Sequence, residues 1–123
     1  MRKIPLTILA ICITIFLAAC GQEQGGGNAS QNEVDENATL LEIHATNFEF
    51  DQAEYVVKAG EPVTIQLSSD EGMHGINIQG LDVNIDGNGS KTITPSEPGE
   101  YTIFCSILCG TGHGNMISKL IVQ

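Results

Sequence analysis

Tryptophan is absent from this sequence of 123 residues, and aromatic side chains make up only 5% of it. A core built almost without large rings must be filled by Val, Ile and Leu. Basic residues are nearly as scarce: five Lys and Arg stand against fifteen Asp and Glu, for a formal charge of −10. Arg2 and Lys3 lie in an N-terminal segment expected to be removed, which leaves three cations against all fifteen acids. A surface of that sign repels nucleic acid phosphates and attracts basic partners. No apolar run reaches the roughly 20 residues that a membrane-spanning helix needs. No segment keeps a helical period either, which leaves strands as the building unit.

What is present falls into three parts. Met1-Arg2-Lys3 is followed by an apolar run from Ile4 to Ala19, short for a span but suited to the hydrophobic centre of a secretory signal. It ends in Leu17-Ala18-Ala19-Cys20-Gly21, which resembles a bacterial lipobox. Residues 1–19 are therefore expected to be a lipoprotein signal peptide, with Cys20 the lipidated first residue; a short transmembrane anchor with an incidental Cys20 is the alternative. Residues 20–38 contain Gly25-Gly26-Gly27, several Asn and Gln, and acids such as Glu33, Asp35 and Glu36. They read as a flexible acidic tether. Either way the remainder is placed outside the cytoplasm.

From Thr39 onward, roughly 85 residues are available for a core, enough for one compact domain. Their pattern is short apolar or alternating runs broken by turn residues. Strands are predicted over Leu40–Ala45, Phe48–Phe50, Glu54–Lys58, Val63–Leu67, Gly75–Gln79, Leu81–Ile85, Lys91–Thr94, Gly99–Phe104 and Met116–Val122. Short strands at even spacing predict an all-β sandwich or Greek-key barrel.

The last two strands flank a loop that concentrates chemistry: Cys105-Ser106-Ile107-Leu108-Cys109-Gly110-Thr111-Gly112-His113-Gly114-Asn115-Met116. It holds two thiols, an imidazole and a thioether, all soft or borderline donors suited to copper, and no hard oxygen donor among them. Gly110, Gly112 and Gly114 are expected to let the loop bend tightly around a centre. His74 lies between two strands, where a Greek key can return it to the loop. Of four cysteines, Cys12 leaves with the signal and Cys20 takes the lipid, so Cys105 and Cys109 remain. A disulfide between them would leave His113, Met116 and the glycines without a role. Zinc on Cys105, Cys109, His74 and His113 would gain little from Met116. A single blue copper takes one Cys, two His and an axial Met, and leaves one Cys over. His44 reads as a plain strand residue, and Met73 as a packing residue.

The pattern Cys-x-x-x-Cys-Gly-x-Gly-His-x-x-Met, with Met73-His74-Gly75 upstream, resembles the CuA domain of cytochrome c oxidase subunit II, in style the short subunit II of ba3-type oxidases. The likeness continues through Gly80-Leu81-Asp82-Val83-Asn84 and Pro98-Gly99-Glu100-Tyr101, and runs from about Val56 to the end. The resemblance implies a cupredoxin-like Greek-key β-barrel or sandwich over residues 39–123 and a centre of two copper ions. Cys105 and Cys109 would bridge both ions, His74 would bind one and His113 the other. Met116 would be a weak ligand to one ion and the backbone carbonyl of Ile107 a ligand to the other. The family more often has Glu or Gln at that position; any residue supplies a carbonyl, but the usual side chain beside the site is missing here.

The function so implied is electron transfer, from a cytochrome c or similar basic donor to a terminal oxidase, with no substrate chemistry at the centre. Acidic charge would steer such a donor, an effect that salt weakens. Subunit II is normally held by one or two transmembrane helices; here the lipobox-like signal and tether stand in their place. The chain is thus expected at the extracytoplasmic face of a bacterial cell membrane, lipid-anchored, as an oxidase subunit or a free relay. Delivery of copper to an oxidase would use the same ligands and is the alternative; a redox-sensing or structural disulfide domain is a third reading.

Overall fold

An extended segment with every second residue apolar can bury one face and wet the other, and two such sheets can close on each other over a shared core. The computed structural model of the protein describes residues 35–123. The expected leader, the lipidation site Cys20 and the tether as far as Val34 lie outside the described residues. Residues 35–38 form a turn in which Asp35 accepts from the amides of Asn37 and Ala38.

Nine strands follow: β1 (Thr39–Thr46), β2 (Glu49–Phe50), β3 (Glu54–Val57), β4 (Val63–Ser69), β5 (Gly75–Ile78), β6 (Val83–Asp86), β7 (Gly89–Ile93), β8 (Gly99–Phe104) and β9 (Ile117–Val122). They form a four-stranded sheet in the order β2-β1-β4-β7 and a five-stranded sheet in the order β3-β9-β8-β5-β6. The pairs β1–β4 and β3–β9 are parallel; the others are antiparallel. This is the all-β Greek-key sandwich that the alternation predicts. The single helical element among the described residues is a 3-10 turn at His113–Asn115.

Ile43, Ile65 and Leu67 from one sheet meet Ile76, Ile78, Val83, Ile103 and Leu120 from the other, none more than 1% exposed. Each such side chain contributes roughly 1.5–3 kcal/mol by leaving water. Branched aliphatics fill the core, as the shortage of rings requires. Tyr55 is the one described aromatic that is fully enclosed, and its hydroxyl donates to Asp51 Oδ1 at 2.6 Å. Most strand boundaries shift by one or two residues from the sequence pattern: β4 runs on to Ser69, Phe48 lies outside β2, and the starts of β6 and β7 move by two residues each. β7 starts at Gly89 rather than Lys91, because Gly89 and Ser90 continue the ladder opposite Leu67 and Gln66. β6 starts at Val83 because Leu81 is held in a turn, its amide donating to the Ile78 carbonyl.

Strands β1, β4, β6 and β8 end, and β5, β7 and β9 begin, at the same end of the sandwich. Four connections therefore gather there: Asn47-Phe48, Asp70–His74, Gly87-Asn88 and Cys105–Met116. At the opposite end a groove bordered by Leu40, Val56 and Pro62 opens among strand termini and takes no part in the site.

Candidate metal centre

Strand register brings the donors together. β8 pairs with β5 through Asn77–Phe104, and one step further the Ser106 amide donates to the Gly75 carbonyl at 3.2 Å. Cys105 thus emerges beside His74. β8 also pairs with β9 through Phe104–Ile117, and the Cys105 amide donates to the Met116 carbonyl at 3.3 Å. Three donors distant in sequence become neighbours at the rim of one sheet.

The two sulfurs, both free thiols, stand 3.6 Å apart. His74 Nδ1 lies 3.9 Å from Cys105 Sγ, and His113 Nδ1 lies 3.6 Å from Cys109 Sγ. Met116 Sδ is 3.6 Å from Cys109 Sγ, and the Ile107 carbonyl oxygen is 3.2 Å from Cys105 Sγ. His74, Cys105 and Cys109 together offer ligand atoms within 4.8 Å of one another. All six residues singled out in the sequence therefore converge. Their donor set (two thiols, two imidazoles, a thioether and a carbonyl) fits copper, because every side chain in it is soft or borderline.

His74 is fully buried. Its amide donates to Ser69 Oγ at 3.0 Å, and its carbonyl accepts from the Gly87 amide at 3.0 Å. Its ring nitrogen Nε2 faces two acceptors, the Glu71 carbonyl at 2.8 Å and Asn47 Oδ1 at 3.1 Å. These place the proton on Nε2 and leave the Nδ1 lone pair for the sulfur side. Burial pushes the Cys109 thiol above its ordinary pKa, and the neighbouring Cys105 adds to the effect. A bound cation reverses that preference by stabilising the thiolate.

Phe48, which the sequence pattern puts in a short strand, instead precedes β2 in the turn after β1 and shapes the centre. Its ring stands edge-on to His74, with centroids 6.3 Å apart and planes at 86°. It also packs on the Cys105–Met116 loop so closely that a Cβ added at Gly110 would come within 2.9 Å of the ring, and one at Gly112 would overlap Phe48 outright. This refines the expectation that three glycines serve bending. Gly110 has φ of 138°, which favours glycine; Gly112 has an ordinary φ of −90° and is required by contact with Phe48; Gly114 has open space around it.

Two further expectations change. Met73 does not pack: it is 72% exposed, as is Leu108 at 92%. His44 is more than a plain strand residue, since its Nδ1 pairs with Asp70 Oδ2 at 2.8 Å. The Asp70 hydrogen bond holds the His44 pKa above its ordinary value. Lys58, Lys91 and Lys119 pair with Glu61, Asp82 and Glu100 respectively. No lysine sits on the four connections at the metal end, whereas Asp70 and Glu71 lie on them and Glu49 and Asp86 border them.

The cupredoxin-like domain family matches residues 7–118. Cytochrome c oxidase subunit 2 of Thermus thermophilus is 32% identical over 71 residues, which cover 54% of this chain and 53% of that protein. The match thus spans about half the length of the relative. A chain of a heme-copper terminal oxidase dimer is 27% identical and superposes with a TM-score of 0.63, covering 77% of this chain and 73% of its own. The periplasmic domain of cytochrome oxidase subunit II from Bradyrhizobium japonicum shares the fold at 16% identity, with a TM-score of 0.67 over 74% of this chain and 88% of its own. The chain belongs to the cupredoxin-like domain family and is homologous to cytochrome c oxidase subunit II.

Proposed function

We propose that the chain carries a binuclear copper centre of the CuA type and relays electrons from a basic donor such as cytochrome c to a terminal oxidase. The observation that carries this reading is the pair of sulfurs 3.6 Å apart with one imidazole Nδ1 beside each. Cys105 and Cys109 would hold both ions, His74 one and His113 the other, with Met116 and the Ile107 carbonyl as weaker ligands. Copper bound there supplies one-electron redox chemistry. The protein's part is to keep the donors fixed and to exclude water. Cys105 and Met116 are 3% and 1% exposed, and His74 is sealed beneath Asn47 and Phe48. Donors held by strand register need little rearrangement when an electron arrives. The acidic rim, with exposed Met73 and Leu108 amid it, suits a partner with a basic ring and an apolar centre. The relatives support an extracytoplasmic position at an oxidase, and the lipobox-like sequence supports anchoring through lipid on Cys20.

The test is copper reconstitution of the full chain with metal counting and a visible spectrum. Two tightly held ions per chain and intense visible bands are expected, with the bands abolished by Cys105→Ser and by Cys109→Ser. Binding of at most one ion, or a spectrum indifferent to either substitution, ends this reading. One readily exchanged, colourless copper would point to delivery instead.

A further inference from the structure

Asn47 stands 27 positions before His74, in the turn between β1 and β2, and no sequence pattern marks it. We propose that Asn47 is a positioning residue for the His74 imidazole, and that its amide oxygen sets how strongly that imidazole donates to copper. The inference rests on the copper reading above.

The proton on Nε2 faces two acceptors. The Glu71 carbonyl at 2.8 Å is a main-chain acceptor that any side chain at that position would leave in place. The Asn47 oxygen at 3.1 Å is a second acceptor on the same proton, and it depends on one side chain. An acceptor on the far nitrogen draws the proton outward, makes the imidazole more basic and strengthens Nδ1 as a donor. A stronger donor favours oxidised copper over reduced copper. The amide is also given its place: Gly72 has φ of 76°, and a Cβ there would lie only 2.6 Å from Asn47 Oδ1. Glycine at 72 thus leaves the space into which the amide reaches. His74 itself is 0% exposed, so water does not substitute readily for a lost acceptor.

The test compares Asn47→Ala, Asn47→Asp and Gly72→Ala in the full chain, read by redox titration of the copper-loaded protein and by the His74 Nε2–H resonance in the metal-free protein. Asn47→Ala removes the acceptor and should raise the reduction potential, shifting the affinity ratio of reduced to oxidised copper by about threefold to tenfold, the scale of one neutral hydrogen bond. Asn47→Asp keeps an acceptor and makes it stronger, so the potential should fall below that of the wild type. Gly72→Ala should follow Asn47→Ala by displacing the amide. The Nε2–H signal should move upfield in the alanine variants and downfield in the aspartate variant. Shifts of the same sign for Ala and Asp, or none, overturn the proposal, since mere loosening of the turn cannot move the potential in opposite directions. If wild-type protein binds no copper, the function proposed above fails, and the resonance alone still decides whether Asn47 polarises His74. Should the alanine variants not fold, Asn47→Asp decides by itself.

Discussion

His74 is fully buried and fixed by three segments of the fold, whereas His113 is half-buried and belongs to a loop that provides most of its own scaffold. On the His74 side, the Ser69 hydroxyl, the Gly87 amide, the Glu71 carbonyl and the Asn47 amide each hold one atom of the residue. On the His113 side, the ring heads a 3-10 turn whose hydrogen bonds stay within residues 110–116. One imidazole is placed by tertiary structure, the other by local structure pressed against Phe48. The lesson is that equivalent ligands can differ in what assembles them and in who can replace them.

The largest expected effect separates the two sides by replacement. In copper-loaded His113→Gly, added imidazole should restore most of the visible bands, because an exogenous ring can reach a half-buried position. His74→Gly should lose the bands and not recover them, since its place is closed. Equal recovery in both variants would erase the distinction. An intermediate effect concerns the wall between the sides. Gly112→Ala drives a methyl into Phe48 and should lower the unfolding free energy of the metal-free chain by about 1–3 kcal/mol, the usual range for overpacking. A Phe48→Leu background should relieve much of that loss; strictly additive losses in denaturant melts would show that the Phe48 contact is not the cause.

The smallest effect lies beyond the His74 side, where the His44–Asp70 pair joins β1 to the start of the Asp70–His74 connection. The His44 pKa is raised, first by its hydrogen bond with Asp70, so its contribution is complete below the ordinary value of 6.5 and decays as pH rises through the higher folded value. The Asp70 pKa is lowered, first by Ser68 and then by His44, so its contribution holds above 3.8 and is lost as pH falls. Melting midpoints of metal-free protein should therefore drift downward above pH 6.5 in the wild type, and His44→Gln should flatten that drift. An identical drift in the variant would assign it to other groups. Both partners are exposed, so the effect should be slight.

Most of the architecture could be read from the chain, because alternation is a local property. Ile43, Ala45, Ile65 and Leu67 announce their strands by spacing alone, and Gly99–Phe104 has the bounds the pattern predicts. The donor set was legible because Cys105, Cys109, His113 and Met116 lie within one loop, and His74 stands out by type. What spacing could not supply was everything acting across the fold. Asn47, Phe48 and the His44–Asp70 pair meet the centre or its supports only after β1 and β4 align in parallel. Nothing in an Asn-Phe dipeptide advertises a hydrogen bond to a histidine 27 residues away. Met73 misled for the converse reason: an apolar side chain beside a buried ligand is normally core, and this one faces out.

The direction of β1 has a practical corollary. It runs from Thr39 to Thr46 over eight residues and delivers the chain to the turn beside His74. At about 3.3 Å per residue, its first residue stands roughly 25 Å from that turn. Gln123 sits at the same remote pole, bonded to Ala59 and Val57. A bead or electrode joined directly at Thr39 or at Gln123 would therefore sit at the pole opposite the Cys105–Met116 loop and leave that loop facing outward.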